Sequence, residues 1–280
     1  MEIEKNMVAV ITGASRGLGV FIAKALAERG VSLVLAARSK DDLESVANDV
    51  KRAGVDVLPV VTDISDTDSL RDLLDATSKR FGRLDILVNN AGCDYAYPFD
   101  KIEISKISEM VQVNLVGLMA LTRLCIPEML KHNGGHIVNI ASIAGVMPSA
   151  YQEVYTATKH GVVGFTRALR ASSQDMNWPI SASVICPGFM DDAGIYENMK
   201  RDYGVKAPNA LGSMSASMLG DHVIRAIEQD IPDIMMMKGA PRIATAWLAL
   251  FPRVHENISA KLKTAEIFRK VAFAHAREHK

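Results

Sequence analysis

Tyr155 and Lys159 stand four residues apart in the stretch YTATK. At helical pitch such a pair shares one face, so a phenol and an ammonium become neighbours. A free phenol titrates near pH ~10, too high for a good base at neutral pH. A nearby cation favours phenolate, and an acid/base group works best when its pKa lies near the working pH. Taken alone, the pair also fits an ordinary helix surface. Two further polar residues stand at strand or helix positions upstream: Ser142 in NIASIAG and Asn114 in QVNLVG. A short hydroxyl at Ser142 can hydrogen-bond a substrate oxygen, or merely satisfy a strand end. Asn114 can satisfy a structural hydrogen bond in its helix.

A second chemistry lies near the N-terminus. TGASRGLG (12–19) places Gly13, Gly17 and Gly19 between an apolar run and a helical pattern. Glycines in such a turn let phosphate oxygens approach the backbone, and the helix behind offers free N–H groups and a positive dipole end. At the end of the next apolar run, VLAARSK carries no carboxylate where an NAD-preferring chain places one for the ribose 2′-hydroxyl. It carries Arg38 instead. With Arg16 inside the glycine turn, two guanidinium groups suit a 2′-phosphate, which favours NADP over NAD. Asp63 in VTDIS can accept from an adenine amino group or cap the following helix. NNAG (89–92) puts polar residues at the end of another apolar run.

These residues need a frame. Short apolar runs at 7–12, 31–37, 55–61, 84–90, 135–142, 180–187 and 233–237 read as strands covered on both faces. Helical patterns fall at about 17–29, 40–53, 66–81, 103–131, 154–176 and 217–230. The alternation predicts an α/β fold: a single Rossmann-like, doubly wound parallel sheet with helices on both faces. The catalytic and cofactor-binding domain is expected over 1–240 and a helical extension over 241–280.

The marks in order are T-G-x-x-x-G-x-G at 12–19, N-N-A-G at 89–92, Asn114, Ser142, Y-x-x-x-K at 155–159 and P-G at 187–188. Over residues 7–240 the chain resembles the short-chain dehydrogenase/reductase family, with Ser142 thirteen residues before Tyr155 as that pattern requires. The resemblance implies Tyr155 as catalytic acid/base, with Lys159 lowering its pKa and holding the nicotinamide ribose. It implies Ser142 orienting the carbonyl and Asn114 sustaining a water-linked proton relay. It places NADP(H) contacts at Gly13, Ser15, Arg16, Gly17, Leu18, Gly19, Arg38, Asp63, Ile64, Asn90, Ala91, Gly92, Tyr155, Lys159, Pro187 and Gly188. It also implies a homodimer or homotetramer. One departure stands out: PGFMDDAG puts Asp192 near the position where many members carry a Thr that contacts the nicotinamide carboxamide.

The rest of the chain bears on substrate and location. Residues 189–216 form a weakly periodic connection at a strand's carboxyl edge, the usual place for a lid or binding loop. Its Met190, Tyr196, Met199, Tyr203 and Met214 either shape an apolar pocket or pack the loop on the body. A pocket of that kind takes a lipid-, steroid- or retinoid-like carbonyl or alcohol. The tail sets Ile243, Trp247, Leu248 and Phe251 on one apolar face, then a helix over about 256–275 with Ile258, Leu262, Ala265, Phe268 and Ala272 on one side. From 253 on it carries seven Lys or Arg against three Asp or Glu. Three placements are open to it: packing on the body or a second subunit, covering the substrate mouth, or lying on a membrane surface.

A formal net charge of zero over 280 residues argues against a nucleic-acid partner. The three cysteines, Cys93, Cys125 and Cys186, are scattered, and none of the seven histidines has metal-ligand spacing, so no disulfide scaffold or metal site is expected. MEIEKNMVAVITG does not read as a secretory or transit peptide, and no apolar run reaches spanning length. A cytoplasmic location is expected, with a peripheral membrane placement open through the tail. The rival to an NADP(H)-dependent oxidoreductase is a silent NADP(H)-binding sensor or scaffold, or a membrane-peripheral protein acting through its tail. The complete Asn–Ser–Tyr–Lys set argues for the enzyme.

Overall fold

Strand β1 (Val8–Thr12) shows why every strand here is apolar throughout. Ala9 and Ile11 enter one buried cluster while Val8 and Val10 enter another on the opposite face. Successive side chains point to opposite faces, so a strand covered on both sides needs both sets apolar. The computed structural model describes residues 1–207, 212–237, 241–261 and 263–278. The remaining strands are β2 (Ser32–Ala37), β3 (Val57–Val61), β4 (Ile86–Asn89), β5 (Gly135–Ile140), β6 (Ile180–Pro187) and β7 (Asp233–Met236). They form one seven-stranded sheet in the order β3-β2-β1-β4-β5-β6-β7, with every neighbouring pair parallel.

Helices α1 (Leu18–Glu28), α2 (Lys40–Lys51), α3 (Thr67–Phe81), α4 (Ile104–Val111), α5 (Gly117–Lys131) and α6 (Glu153–Asp175) cross between strands. They are followed by α7 (Gly194–Tyr203) and α8 (Ser217–Glu228). Apolar residues of α1, α2 and α8 cover one face of the sheet, and those of α3 and α5 the other. The order of strands reverses between β1 and β4. A crevice therefore opens at their carboxyl ends, where ligands of such sheets bind.

The expected helix over 103–131 is present with an interruption. Residues Gln112–Val116 form a π-turn between α4 and α5. One window of this span reaches a mean hydropathy of 1.5, enough for a membrane-spanning segment by composition. Its Leu118, Leu121, Cys125, Ile126 and Met129 are instead buried against the sheet. The tail also departs from expectation. It forms α9 (Pro241–Leu250), α10 (Pro252–Lys261) and α11 (Thr264–Glu278), so the single helix over 256–275 is divided. Pro252 suits a first helical position, and Lys263 takes a left-handed φ of 53° between α10 and α11. Leu262 lies outside the described residues.

One buried polar residue in β5 makes stability depend on pH. His136 is fully buried with Nε2 2.8 Å from Ser183 Oγ, and burial pushes its pKa down to about 4. The native imidazole stays neutral where the unfolded one, with a pKa of about 6.5, already takes a proton. Stability therefore falls as pH drops through the window from 6.5 to 4, by at most about 3 kcal/mol. Thermal melts of the wild type between pH 7 and 4 should show this slope, and His136→Gln should flatten it.

Candidate active site

The glycine turn closes against the end of β4. Gly13 has φ +65°, and a Cβ there would lie 2.9 Å from Ala91 Cα. A Cβ on Gly19 would collide with Gly13 O and lie 2.9 Å from Ala14 Cα. Thr12 Oγ1 accepts from the backbone N–H groups of Asn90 and Ala91, each at 3.0 Å. Asn90 Nδ2 donates to the carbonyls of Thr12 and Gly13 at 3.0 and 3.1 Å. The side chain of Asn90 thus holds the turn in shape, while the residue also lines the cleft. The amino end of α1 stands behind this turn.

A continuous cleft of about 1330 Å³ runs from this turn to the end of α6. It is lined by Gly13, Ser15, Arg16, Gly17, Leu18, Arg38, Asp63, Ile64, Asn90, Ala91, Gly92, Ser142, Tyr155, Lys159, Pro187 and Gly188. Gly19 and Asn114 do not line it. Gly19 serves packing of the turn, and Asn114 is completely buried. Arg16 and Arg38 are exposed at the mouth, and neither forms a salt bridge with a described residue. Asp63 is not the cap of α3, since Asp66 accepts from Asp68 N at 3.1 Å in that role. The Asp63 carboxyl instead accepts from Ser65 N and Oγ at 2.9 and 2.6 Å, which holds its pKa low.

At the reacting end, Tyr155 and Lys159 occupy the first turns of α6, and both are buried. Lys159 Nζ lies 5.6 Å from the centre of the Tyr155 ring and donates to Ile140 O at 3.0 Å. Ser142 follows β5. Its hydroxyl accepts from Ala144 N at 3.1 Å, capping a short 3₁₀ turn, and also bonds the Tyr155 side chain. Asn114 sits in the π-turn. Its Oδ1 accepts from Cys93 N and its Nδ2 donates to Cys93 O, both at 2.8 Å, with Thr158 Oγ1 at 3.3 Å. The extra residue of a π-turn turns that amide toward the 92–94 segment, a common use of such bulges at functional sites. The Asn114 amide thereby braces the Cys93 backbone at the cleft wall.

The electrostatics differ from the simple expectation. Burial holds the Tyr155 phenol above its ordinary value, with the Asp94 carboxylate adding to the effect and the Ser142 hydrogen bond opposing it. Lys159 is pushed down to about 8, again by burial first. Desolvation leads both shifts, raising the phenol and lowering the ammonium. The arrangement keeps Tyr155 protonated, the form that donates a proton.

Asp94 and Gln152 belong to the site and were not among the expected residues. Gln152 Nε2 donates to Asp94 Oδ2, while Asp94 Oδ1 is enclosed without a hydrogen-bond partner. Burial lifts the Asp94 carboxyl to about 7. A carboxylate two residues past NNAG, in the otherwise uncharged stretch CDYAYPF, was the available signal.

The far wall is apolar and comes from two segments. Met190, Tyr196, Met199 and Tyr203 of the 189–216 connection line the cleft, whereas Met214 packs into the core. Helix α11 contributes Phe268, Val271 and His275. Phe189 stacks on Phe268 at 6.4 Å, Tyr203 meets His275 at 5.4 Å, and His275 Nδ1 lies 2.9 Å from Ala96 O. The tail thus walls the apolar end of the cleft. The Asp192 carboxylate is engaged by Ser215 Oγ and Ala216 N, both at 2.6 Å. It ties the connection to the start of α8, although the residue also borders the cleft.

The family model described as short chain dehydrogenase matches residues 7–204. A ketoacyl reductase HetN of Nostoc sp. is 34% identical over 227 residues, covering 81% of this chain and 77% of its own. Human 15-hydroxyprostaglandin dehydrogenase [NAD(+)] is 37% identical over 205 residues, covering 70% and 72%. A short-chain dehydrogenase/reductase from Burkholderia phymatum in complex with NAD superposes with a TM-score of 0.77 at 27% identity, covering 93% of this chain and 97% of its own. An actinorhodin polyketide ketoreductase with NADPH gives 0.75 at 26%, covering 82% and 95%. The matched segment carries the glycine turn, Asn114, Ser142, Tyr155 and Lys159, and the strand order agrees with a doubly wound nucleotide fold. The chain is an oxidoreductase of the short-chain dehydrogenase family.

Proposed function

We propose that this protein is an NADP(H)-dependent oxidoreductase that interconverts a carbonyl and the corresponding alcohol on an apolar, lipid-, steroid- or retinoid-like substrate. The observation that carries the reading is one continuous cleft with two unlike ends. Gly13, Arg16 and Arg38 line one end; beyond Tyr155, Met199, Phe268 and Val271 line the other. The residues present fit a nicotinamide dinucleotide. The turn at 13–19 leaves no room for side chains at Gly13 and Gly19, and free N–H groups of α1 stand behind it. The cofactor, when bound, supplies the hydride. The protein positions the carbonyl and supplies the proton. Tyr155 Oη donates it to the carbonyl oxygen during reduction and takes it back during oxidation. Ser142 Oγ orients that oxygen and Lys159 steadies the phenol and the ribose end. Met199, Phe268 and Val271 exclude water along the apolar part of the substrate.

The 2′-phosphate preference rests on Arg38 and Arg16. A charge-assisted hydrogen bond contributes about 1.5–3 kcal/mol, so Arg38→Asp is expected to weaken NADPH binding by about 10- to 100-fold and to favour NADH. Titration of both cofactors against wild type and variant checks this. The reading as a whole is tested by steady-state assays of NADPH and NADH with ketones, aldehydes and alcohols graded in size and polarity. Turnover should rise with apolar size and prefer NADPH; preference for small polar substrates would contradict the substrate assignment. A homodimer or homotetramer is the proposed assembly, supported by the exposure of Ile104, Val111 and Val116 along α4 and the π-turn.

A further inference from the structure

Helix α9 is turned inside out for a helix of a water-facing surface. Ile243, Trp247, Leu250 and the following Phe251 recur at i, i+4, i+7 and i+8, the stripe an ordinary amphipathic helix turns inward. Here they are 76%, 49%, 75% and 47% exposed. Among the described side chains of this helix the buried one is Thr245, whose Oγ1 lies 3.6 Å from Met235 Sδ. Trp247 and Phe251 pack ring to ring at 5.0 Å, so the stripe is a preformed aromatic and aliphatic patch.

The charges nearby identify its counterpart. The exposed charged residues of the segment that follows are Arg253, Lys261, Lys263, Arg269, Lys270 and Arg277 against Glu256 and Glu266, among residues whose side chains are described. A second copy of this chain would bring like charge against like charge across such a patch. An anionic bilayer matches both features: tryptophan and branched apolar side chains enter the headgroup boundary while Lys and Arg meet lipid phosphates. The same helical unit walls the substrate end of the cleft, through Ser259 of α10 and Phe268 and Val271 of α11. We propose that the outward stripe of α9, together with the exposed basic residues of the segment that follows it, docks this protein onto an anionic lipid surface beside the substrate end of the cleft.

The test is flotation of the full chain with vesicles of phosphatidylcholine alone or with about one third phosphatidylglycerol, at low and high salt. Binding to the anionic vesicles that weakens with salt is expected. Each removed apolar anchor should cost about tenfold in binding, so Trp247→Glu with Leu250→Glu should abolish flotation. These side chains lie outside the cleft, and turnover of a water-soluble carbonyl should be unchanged. In the wild type, brominated lipids should quench tryptophan emission, an observation that needs no variant. Absence of flotation at low salt would overturn the proposal. So would a double variant that still floats but loses a dimer seen by light scattering, which would assign the stripe to a second copy. Vesicle binding is read without turnover, so its failure leaves the catalytic reading standing.

Discussion

Tyr155→Phe is expected to lower kcat for carbonyl reduction by about 10²–10⁴-fold, the usual contribution of a positioned acid or base. The ring stays, and its packing beside Met110 and Ala144 stays with it. Only the hydroxyl bonded to Ser142 is lost. NADPH affinity should therefore change little, because the phosphate-facing turn and both arginines are untouched. Folding should also be preserved, which melting curves will show. Ser142 cannot replace the missing proton donor, since an aliphatic hydroxyl is a far weaker acid than a phenol. A variant that retains wild-type kcat with unchanged NADPH binding would remove Tyr155 from the mechanism.

Gly19→Ala should produce the second large effect, at the other end of the cleft. Its Cβ would meet Gly13 O, Ala14 Cα at 2.9 Å and Asn90 Nδ2 at 2.9 Å. Two of these are backbone atoms of the phosphate-facing turn, so relief requires the turn itself to move. Overpacking of this kind costs about 1–3 kcal/mol, a fall in Tm of several degrees for a chain of this size. Because Asn90 clamps the same turn, the displacement should spread to Thr12 and Gly13 and weaken NADPH binding by about tenfold or more. Gly164→Ala is the control. It lies in α6, where an added methyl group would meet nothing within 4 Å, so alanine there should hold or raise stability. Equal effects of the two substitutions would refute the packing explanation.

The sheet was legible because its strands are covered on both faces and so read as unbroken apolar runs. The run at 180–187 coincides with β6. The chemistry was legible where spacing carries it, as at Tyr155 and Lys159. Three features were not, each for a physical reason. The π-turn at Gln112–Val116 leaves the helical pattern intact, since one extra residue is absorbed without changing composition. It is set by tertiary demands: Asn114 must reach the Cys93 backbone, and a Cβ at Gly117 would collide with Ile64 O. Helix α7 hid in the weak periodicity of 189–216 because its Tyr196 and Met199 pack on α11, far away in sequence. Asp94 gained its meaning only through enclosure beside Gln152 and Tyr155, and burial is not written in a short motif. The tail's apolar positions were visible, but their division between a cleft wall and an outward stripe depends on the break between α9 and α10 at Phe251.

The central claim is that one cleft joins a dinucleotide end to an apolar carbonyl end through Tyr155. The direct measurement is transfer of deuterium from 4-deuterated NADPH to a panel of apolar ketones and aldehydes, followed by mass spectrometry of the alcohols. The wild type should place one deuterium on the carbinol carbon, and Tyr155→Phe should do so at least about a hundredfold more slowly. NADPH binding with no deuterium transferred to any member of the panel would contradict the account and leave a cofactor-binding sensor in its place.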